Sequence, residues 1–315
     1  MGNAHPIADL HGSITALATP FRDGRVDEAA MAGLVDRQLR RGTSALVVCG
    51  STGEAAMLSL AEHARTVRLV ASVVAGRVPV IAGCTAVTTE QASQLAVAAA
   101  RAGAVALLLA PPPYVKPTQA GIVAHTTCVG RAADLPVVLY DIPSRTGVAI
   151  ADTTIAELSA RGGIAGLKDA TGDLGRPPRL HQLCGADFRQ FTGEDSVAAG
   201  YRAMGGDGCI SVTANIAPAL CAALHRAWEC HDLAGMAELR ERLAPLHAAL
   251  FSESNPIPLK AALALLHLCS DTLRAPLTPA TDVTRAGLAS VLARVMPAED
   301  HEARPRLTPR LVAVS

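Results

Sequence analysis

The feature that most constrains this chain is an alternation. Eight short apolar runs rich in β-branched residues recur at residues 13–20 (SITALATP), 44–50 (SALVVCG), 78–84 (VPVIAGC), 105–110 (VALLLA), 136–143 (PVVLYDIP), 164–168 (IAGLK), 188–193 (FRQFTG) and 208–214 (GCISVTA). Near-continuous apolar runs of this length are expected of parallel strands covered on both faces. Between them lie segments with helical period. Asp27 precedes EAAMAGLVDRQLRRG, which stops at Gly42, and Thr88 and Thr89 precede EQASQLAVAAARAG, which stops at Gly103. A capping side chain before a helix and a glycine after it are the usual boundary signals. Eight such units within about 225 residues, unbroken by any shift in composition, predict an α/β fold, a closed (β/α)8 TIM barrel. A doubly wound sheet is the alternative, but no GxGxxG follows the first run.

After the eighth run only helical segments follow, so one barrel helix and a small C-terminal helical appendage are expected. The predicted organisation is a barrel with the active site over residues 12–230 and a helical region over 231–296. The stretch PAEDHEARPRLTPRLVAVS, 297–315, has three prolines and mixed charge and is expected to be a mobile tail.

Basic and acidic residues balance at 28 each, with no basic run interleaved with aromatics, which argues against nucleic-acid binding. The eight cysteines are scattered without a CxxC, and several sit in apolar runs, as expected of buried free thiols in a reducing compartment. The ten histidines form no HExxH or His-x-His, so no metal site is expected. MGNAHPIADLHG has no basic start followed by an apolar core, and no apolar run approaches the ~18 residues of a membrane span. A cytoplasmic protein without a membrane association is expected.

In a barrel of this kind the active site forms where strands end and βα loops begin. The sixth run ends in Leu167-Lys168-Asp169, and Lys168 is one of only three lysines, with Lys116 and Lys260, among 28 basic residues. A chain that uses arginine wherever positive charge suffices has a reason to keep an amine, which can lose its proton where guanidinium cannot. Taken locally, a lysine at a strand end with its head in solvent remains the commoner case. The second run ends in Gly50-Ser51-Thr52-Gly53-Glu54, whose hydroxyls and amides could face an anion; the string reads equally as a capped turn into a helix. Tyr140, which ends the fifth run, could shuttle protons or be a core aromatic, and Arg145 beyond it could hold a carboxylate or make a surface ion pair. Four prolines in residues 111–117 stiffen the loop that carries Tyr114, and Lys116 in the same loop is expected in solvent.

The strings GSTGE, YDIPSRTG, GLKDATG, GGDGCISVTAN and NPIPLKAAL, in this order, resemble the pyruvate-dependent class I aldolase superfamily and within it the dihydrodipicolinate synthase family, over about residues 12 to 296. GSTGE and the Tyr/Lys pair are shared across the superfamily; the RTG after YDIPS and the SVTAN string are more particular to the synthases. The resemblance implies a Schiff base between Lys168 and pyruvate, whose enamine attacks L-aspartate-4-semialdehyde, with no cofactor beyond that covalent link. It implies a proton relay of Tyr140, Ser51 and Tyr114, the last reaching in from a neighbouring subunit of a homotetramer built as a dimer of dimers. It further assigns the pyruvate carboxylate to Thr52 and nearby backbone, the pocket wall to the Ile210 carbonyl, and the semialdehyde carboxylate to Arg145.

Three positions depart from the family: Ser51 where Thr is usual, Asp141 where Asn is common, and Glu194 where Asp is usual. They keep open a related aldolase, lyase or dehydratase acting on a sugar acid or another 2-keto acid. A catalytically silent keto-acid sensor is a further alternative, against which Lys168, Tyr140, Tyr114 and both hydroxyls argue. Many family members bind lysine at a subunit interface, and the matching positions here are Pro113, Val87, Gln91, Leu60 and His63. One of the five polar contacts survives, so insensitivity to lysine is expected.

Overall fold

A computed structural model describes Ile7 and residues 10–303. The eight strands form where the alternation places them: β1 Gly12–Ala16, β2 Ala45–Val48, β3 Val80–Gly83, β4 Ala106–Leu109, β5 Val137–Asp141, β6 Ile164–Asp169, β7 Arg189–Thr192 and β8 Gly208–Ser211. Each pairs in parallel with its neighbours, and β8 returns to β1 to close the barrel. Alternate residues of each strand face opposite ways. Ile14, Val47, Ile81, Leu108, Phe191 and Ile210 fill the interior, while Leu46, Val48, Leu107 and Leu139 belong to the shell packed under the helices. Both faces are therefore dry, which is why the runs read as continuous apolar sequence.

The helices are α1 Glu28–Arg40, α2 Leu60–Val74, α3 Thr89–Arg101, α4 Gln119–Ala133, α5 Asp152–Ala160, α6 Arg176–Cys184, α7 Ala198–Ala203 and α8 Pro218–Glu229. Asp27 and Thr88 cap α1 and α3 by accepting from the amides of Ala30 and Gln91. Sequence reading did not anticipate the small hairpin Phe21–Arg22 and Arg25–Val26 after β1.

The SVTAN string closes the barrel. Asn215 donates to the Ala16 and Val212 carbonyls at 2.8 and 2.9 Å and accepts from the Ala18 amide at 3.1 Å, tying the β8 exit to β1. The buried Asp195 carboxylate accepts from the Val212 and Thr213 amides at 2.9 and 3.1 Å and from the Ser211 hydroxyl.

Beyond α8 the appendage comprises α9 Leu233–Leu250, α10 Ile257–Leu265 and α11 Asp282–Glu302. The segment expected to be a tail from 297 is instead helical through Glu302, despite Pro297. The cause is tertiary. The fully buried Glu299 accepts from the Ala219 and Leu220 amides at 3.1 and 2.9 Å and from Arg41 at 2.7 Å. A carboxylate at the first turn of α8 satisfies amides that have no intrahelical partner and complements the helix dipole. This anchor offsets the hydrogen bond the proline removes. Residues 304–315, the rest of the expected tail, lie outside the described residues.

Candidate active site

β5 and β6 pair with Tyr140 opposite Lys168 and Asp141 opposite Asp169. Opposed residues on parallel strands share a face, so both reactive side chains point to the same side of the sheet. Lys168 is 5 % exposed and Tyr140 7 %, and the lysine Nζ lies 4.2 Å from the centre of the phenol ring. The solvated lysine of the local sequence reading is thereby excluded. Lys168 has room because a glycine follows β7: a Cβ on Gly193 would stand 2.8 Å from Lys168 Cε. The next residue, Glu194, is close enough to feel the lysine charge. Burial, reinforced by Asp195, raises its carboxyl above the usual range while Lys168 pulls it down.

The aspartates behind this pair face a single cation. Arg176 Nη1 reaches Asp141 at 2.7 Å and Asp169 at 3.4 Å, its Nε reaches Asp152 at 2.8 Å, and its Nη2 donates to the Ile150 carbonyl at 2.7 Å. Burial pushes Asp141 upward and the guanidinium pulls it back. Asp141 therefore serves to lock the ends of β5 and β6 together, where a neutral Asn could offer Arg176 only a hydrogen bond.

The GSTGE string forms a tight turn in which the Gly53 and Glu54 amides donate to the Gly50 and Ser51 carbonyls, both at 3.1 Å. The Thr19 hydroxyl holds the Gly53 carbonyl at 2.8 Å. Thr52, 3 % exposed, accepts from Asn255 Nδ2 at 3.0 Å, and the Asn255 carbonyl accepts from Arg145 Nη2 at 2.9 Å. One residue of the appendage thus links the hydroxyl expected to meet one carboxylate with the guanidinium expected to meet the other. Sequence reading gave Asn255 no role, and the only signal was its place at the head of NPIP before α10.

Ser51, Tyr140, Arg145 and Asn255 line a cavity of about 690 Å³, whose outer wall includes Leu60, Val87, Gln91, Pro113, Pro276 and Leu277. Lys168, Thr52 and Ile210 are buried and do not line it, with Ile210 in the same interior cluster as Tyr140. Tyr114 is not brought to its own chain's site. It is 90 % exposed on the loop after β4, with φ of 74°, although the adjacent Pro113 does line the cavity. Lys116 is exposed as expected. Burial pushes the Cys49 thiol, at the entrance to the turn, up to about 12, which leaves it inert at neutral pH. Among the described residues no group of three or more His, Cys, Asp or Glu side chains is placed to hold a metal ion. Among the described residues no helix is long and apolar enough to cross a membrane.

This arrangement places the Tyr140 phenol, the Ser51 hydroxyl and the Arg145 guanidinium on the wall of one cavity, with the enclosed Lys168 amine packed against that phenol and Thr52 buried in the turn. Comparison with known proteins identifies the family. Residues 9–295 match the model of the dihydrodipicolinate synthetase family. A 4-hydroxy-tetrahydrodipicolinate synthase of Rhodospirillum centenum is 49 % identical over 276 residues, covering 88 % of this chain and 95 % of that one. The chloride-inhibited dihydrodipicolinate synthase of Acinetobacter baumannii, solved with pyruvate, is 38 % identical with a TM-score of 0.88, covering 91 % of this chain and 99 % of that one. A monomeric dihydrodipicolinate synthase variant is 36 % identical with a TM-score of 0.90, covering 93 % and 99 %. The chain is therefore an enzyme of the lyase type and belongs to the dihydrodipicolinate synthetase family.

Proposed function

We propose that this enzyme condenses pyruvate with L-aspartate-4-semialdehyde through a Schiff base on Lys168, giving 4-hydroxy-tetrahydrodipicolinate for lysine and diaminopimelate synthesis. The observation that carries the proposal is the buried Lys168 amine at 4.2 Å from the Tyr140 ring. The amine adds to the pyruvate carbonyl, and loss of water gives an iminium. Removal of a methyl proton then gives the enamine, whose carbon attacks the aldehyde. The amine of the semialdehyde finally displaces Lys168 from the imine, closing the ring and freeing the enzyme. Each step moves protons, and a phenol next to a hydroxyl can carry them. No cofactor is required.

Tyr140 and Ser51 line the cavity from within the chain, whereas Tyr114 is exposed and does not line it. Tyr114 acts in trans, from a neighbouring subunit of a cytoplasmic homotetramer arranged as a dimer of dimers. The exposed Tyr114 and Val115 on a proline-stiffened loop support this. Thr52 and the turn hold the pyruvate carboxylate, with the Ile210 carbonyl beside it. Arg145 receives the semialdehyde carboxylate, which disfavours a sugar acid as the alternative substrate, since a polyol chain offers the guanidinium only neutral hydroxyls and no carboxylate for a two-pronged, charge-assisted contact.

Three predictions follow from these assignments. Arg145→Ala should lower kcat/KM for the semialdehyde by about 10- to 100-fold, the loss expected for a charge-assisted contact, with KM for pyruvate little changed. A steady-state assay with both substrates measures this; an equal loss toward both would contradict it. Tyr114→Phe and Lys168→Ala should each be nearly inactive, and after subunit exchange the mixture should recover roughly a quarter of wild-type activity, as half of the pairs are hybrids with one complete site. No recovery, despite proven exchange, would place Tyr114 outside the neighbour's site. Lysine should not inhibit. Leu60, Val87 and Pro113 offer no polar contact to a zwitterion, and His63 is buried with Nε2 2.8 Å from the Gly83 carbonyl. A lysine titration with strong, cooperative inhibition would contradict this.

A further inference from the structure

Of the three lysine amines, that of Lys260 is the most confined. It lies on α10 with its side chain fully buried, and three groups surround Nζ: Glu54 Oε1 at 2.8 Å, the Thr272 carbonyl at 2.7 Å and the Phe21 ring centre at 4.2 Å. Glu54 is equally buried, and its second oxygen accepts from the Arg274 amide at 3.0 Å. The Arg274 guanidinium stacks on the same Phe21 ring at 4.5 Å and pairs with Glu62. None of these groups has a part in the chemistry above.

A buried ion pair is weak evidence for stability, because desolvation of the two charges offsets their attraction. What such a pair supplies is a fixed separation, and here the fixed point lies within the site. Glu54 is the last residue of the turn, held in the left-handed region at φ 54°, and its amide bonds the Ser51 carbonyl. Five residues before Lys260, Asn255 grips the same turn through Thr52. The segment leading into α10 thus clasps the Ser51–Thr52 turn at both ends. A compact ammonium suits a slot between a ring, a carboxylate and a carbonyl, where a planar guanidinium would not fit.

We propose that Lys260 is a positioning residue for the pyruvate site: through Glu54 it fixes the Ser51–Thr52 turn against the helical appendage. The inference rests on the reading of that turn as the holder of the pyruvate carboxylate and of a relay hydroxyl. Reductive trapping supplies a readout of pyruvate binding, as the concentration that gives half-maximal trapping. It is to be measured, with melting temperatures, for the wild type, Lys260→Met and the double variant Glu54→Gln/Lys260→Met.

Lys260→Met should raise the half-saturating pyruvate concentration about tenfold or more, and lower the melting temperature by leaving Glu54 buried without a cation. The double variant removes both charges at similar volume. It should recover most of the melting temperature while keeping the raised pyruvate requirement, with KM for the second substrate within about threefold of wild type. Wild-type half-saturation in the double variant would overturn the proposal, and that variant alone decides if Lys260→Met does not fold. A double variant that does not fold would also overturn it, by making the pair a requirement of folding. A wild type that traps no pyruvate would overturn the reading of the site itself, an outcome distinct from trapping that the substitutions leave unchanged.

Discussion

The in-register pairing of β5 with β6 is the constraint on which this site depends. A shift by one residue would turn Lys168 or Tyr140 out of the barrel interior, because side chains alternate faces along a strand. Two things hold the register. Both strands bury apolar side chains on both faces, so a slipped register would expose neither face to water but would mismatch two packed layers. Arg176 then joins Asp141 and Asp169 at the strand ends, a lock that forms only when the two aspartates lie opposite each other. Gly193 completes the arrangement by leaving the space that Lys168 fills.

The barrel supplies the amine and the phenol, but the turn carrying Ser51 and Thr52 is held largely from outside it. Asn255, Lys260 and Arg274 all come from the region after α9, and all reach the turn or the segment just beyond it. This gives the helical appendage a physical role in holding the Ser51–Thr52 turn, although it lies outside the barrel. Several charges at buried positions are paired: Arg176 with its aspartates, Lys260 with Glu54, and Glu299 with Arg41. An unpaired charge at any of these points would carry its full desolvation cost.

Much of the barrel was legible because parallel strands covered on both faces leave continuous apolar runs, and because Asp27 and Thr88 announce their helices with side chains that cap them. Lys168 and Tyr140 stood out by scarcity and by their place at strand ends. What was not legible depends on contacts between distant residues. Pro297 reads locally as a helix breaker, and the Glu299 contact that overrides it is made to amides about eighty positions earlier in the chain. Asn255 meets Thr52 across more than two hundred residues, so its polar side chain before a proline looked like an ordinary turn. Gly193 acts by lacking a side chain, which a sequence cannot distinguish from any other loop glycine. Tyr114 is 90 % exposed and does not line the cavity of its own chain, which its place in a proline-rich loop did not reveal.

The central claim is that Lys168, and not either of the other two lysines, forms the covalent link to pyruvate. Borohydride reduction in the presence of pyruvate, followed by peptide mass mapping, tests it most directly. The account predicts one adduct, on the peptide containing Gly166-Leu167-Lys168-Asp169. An adduct on Lys116 or Lys260, or no adduct at all under conditions of turnover, would contradict it.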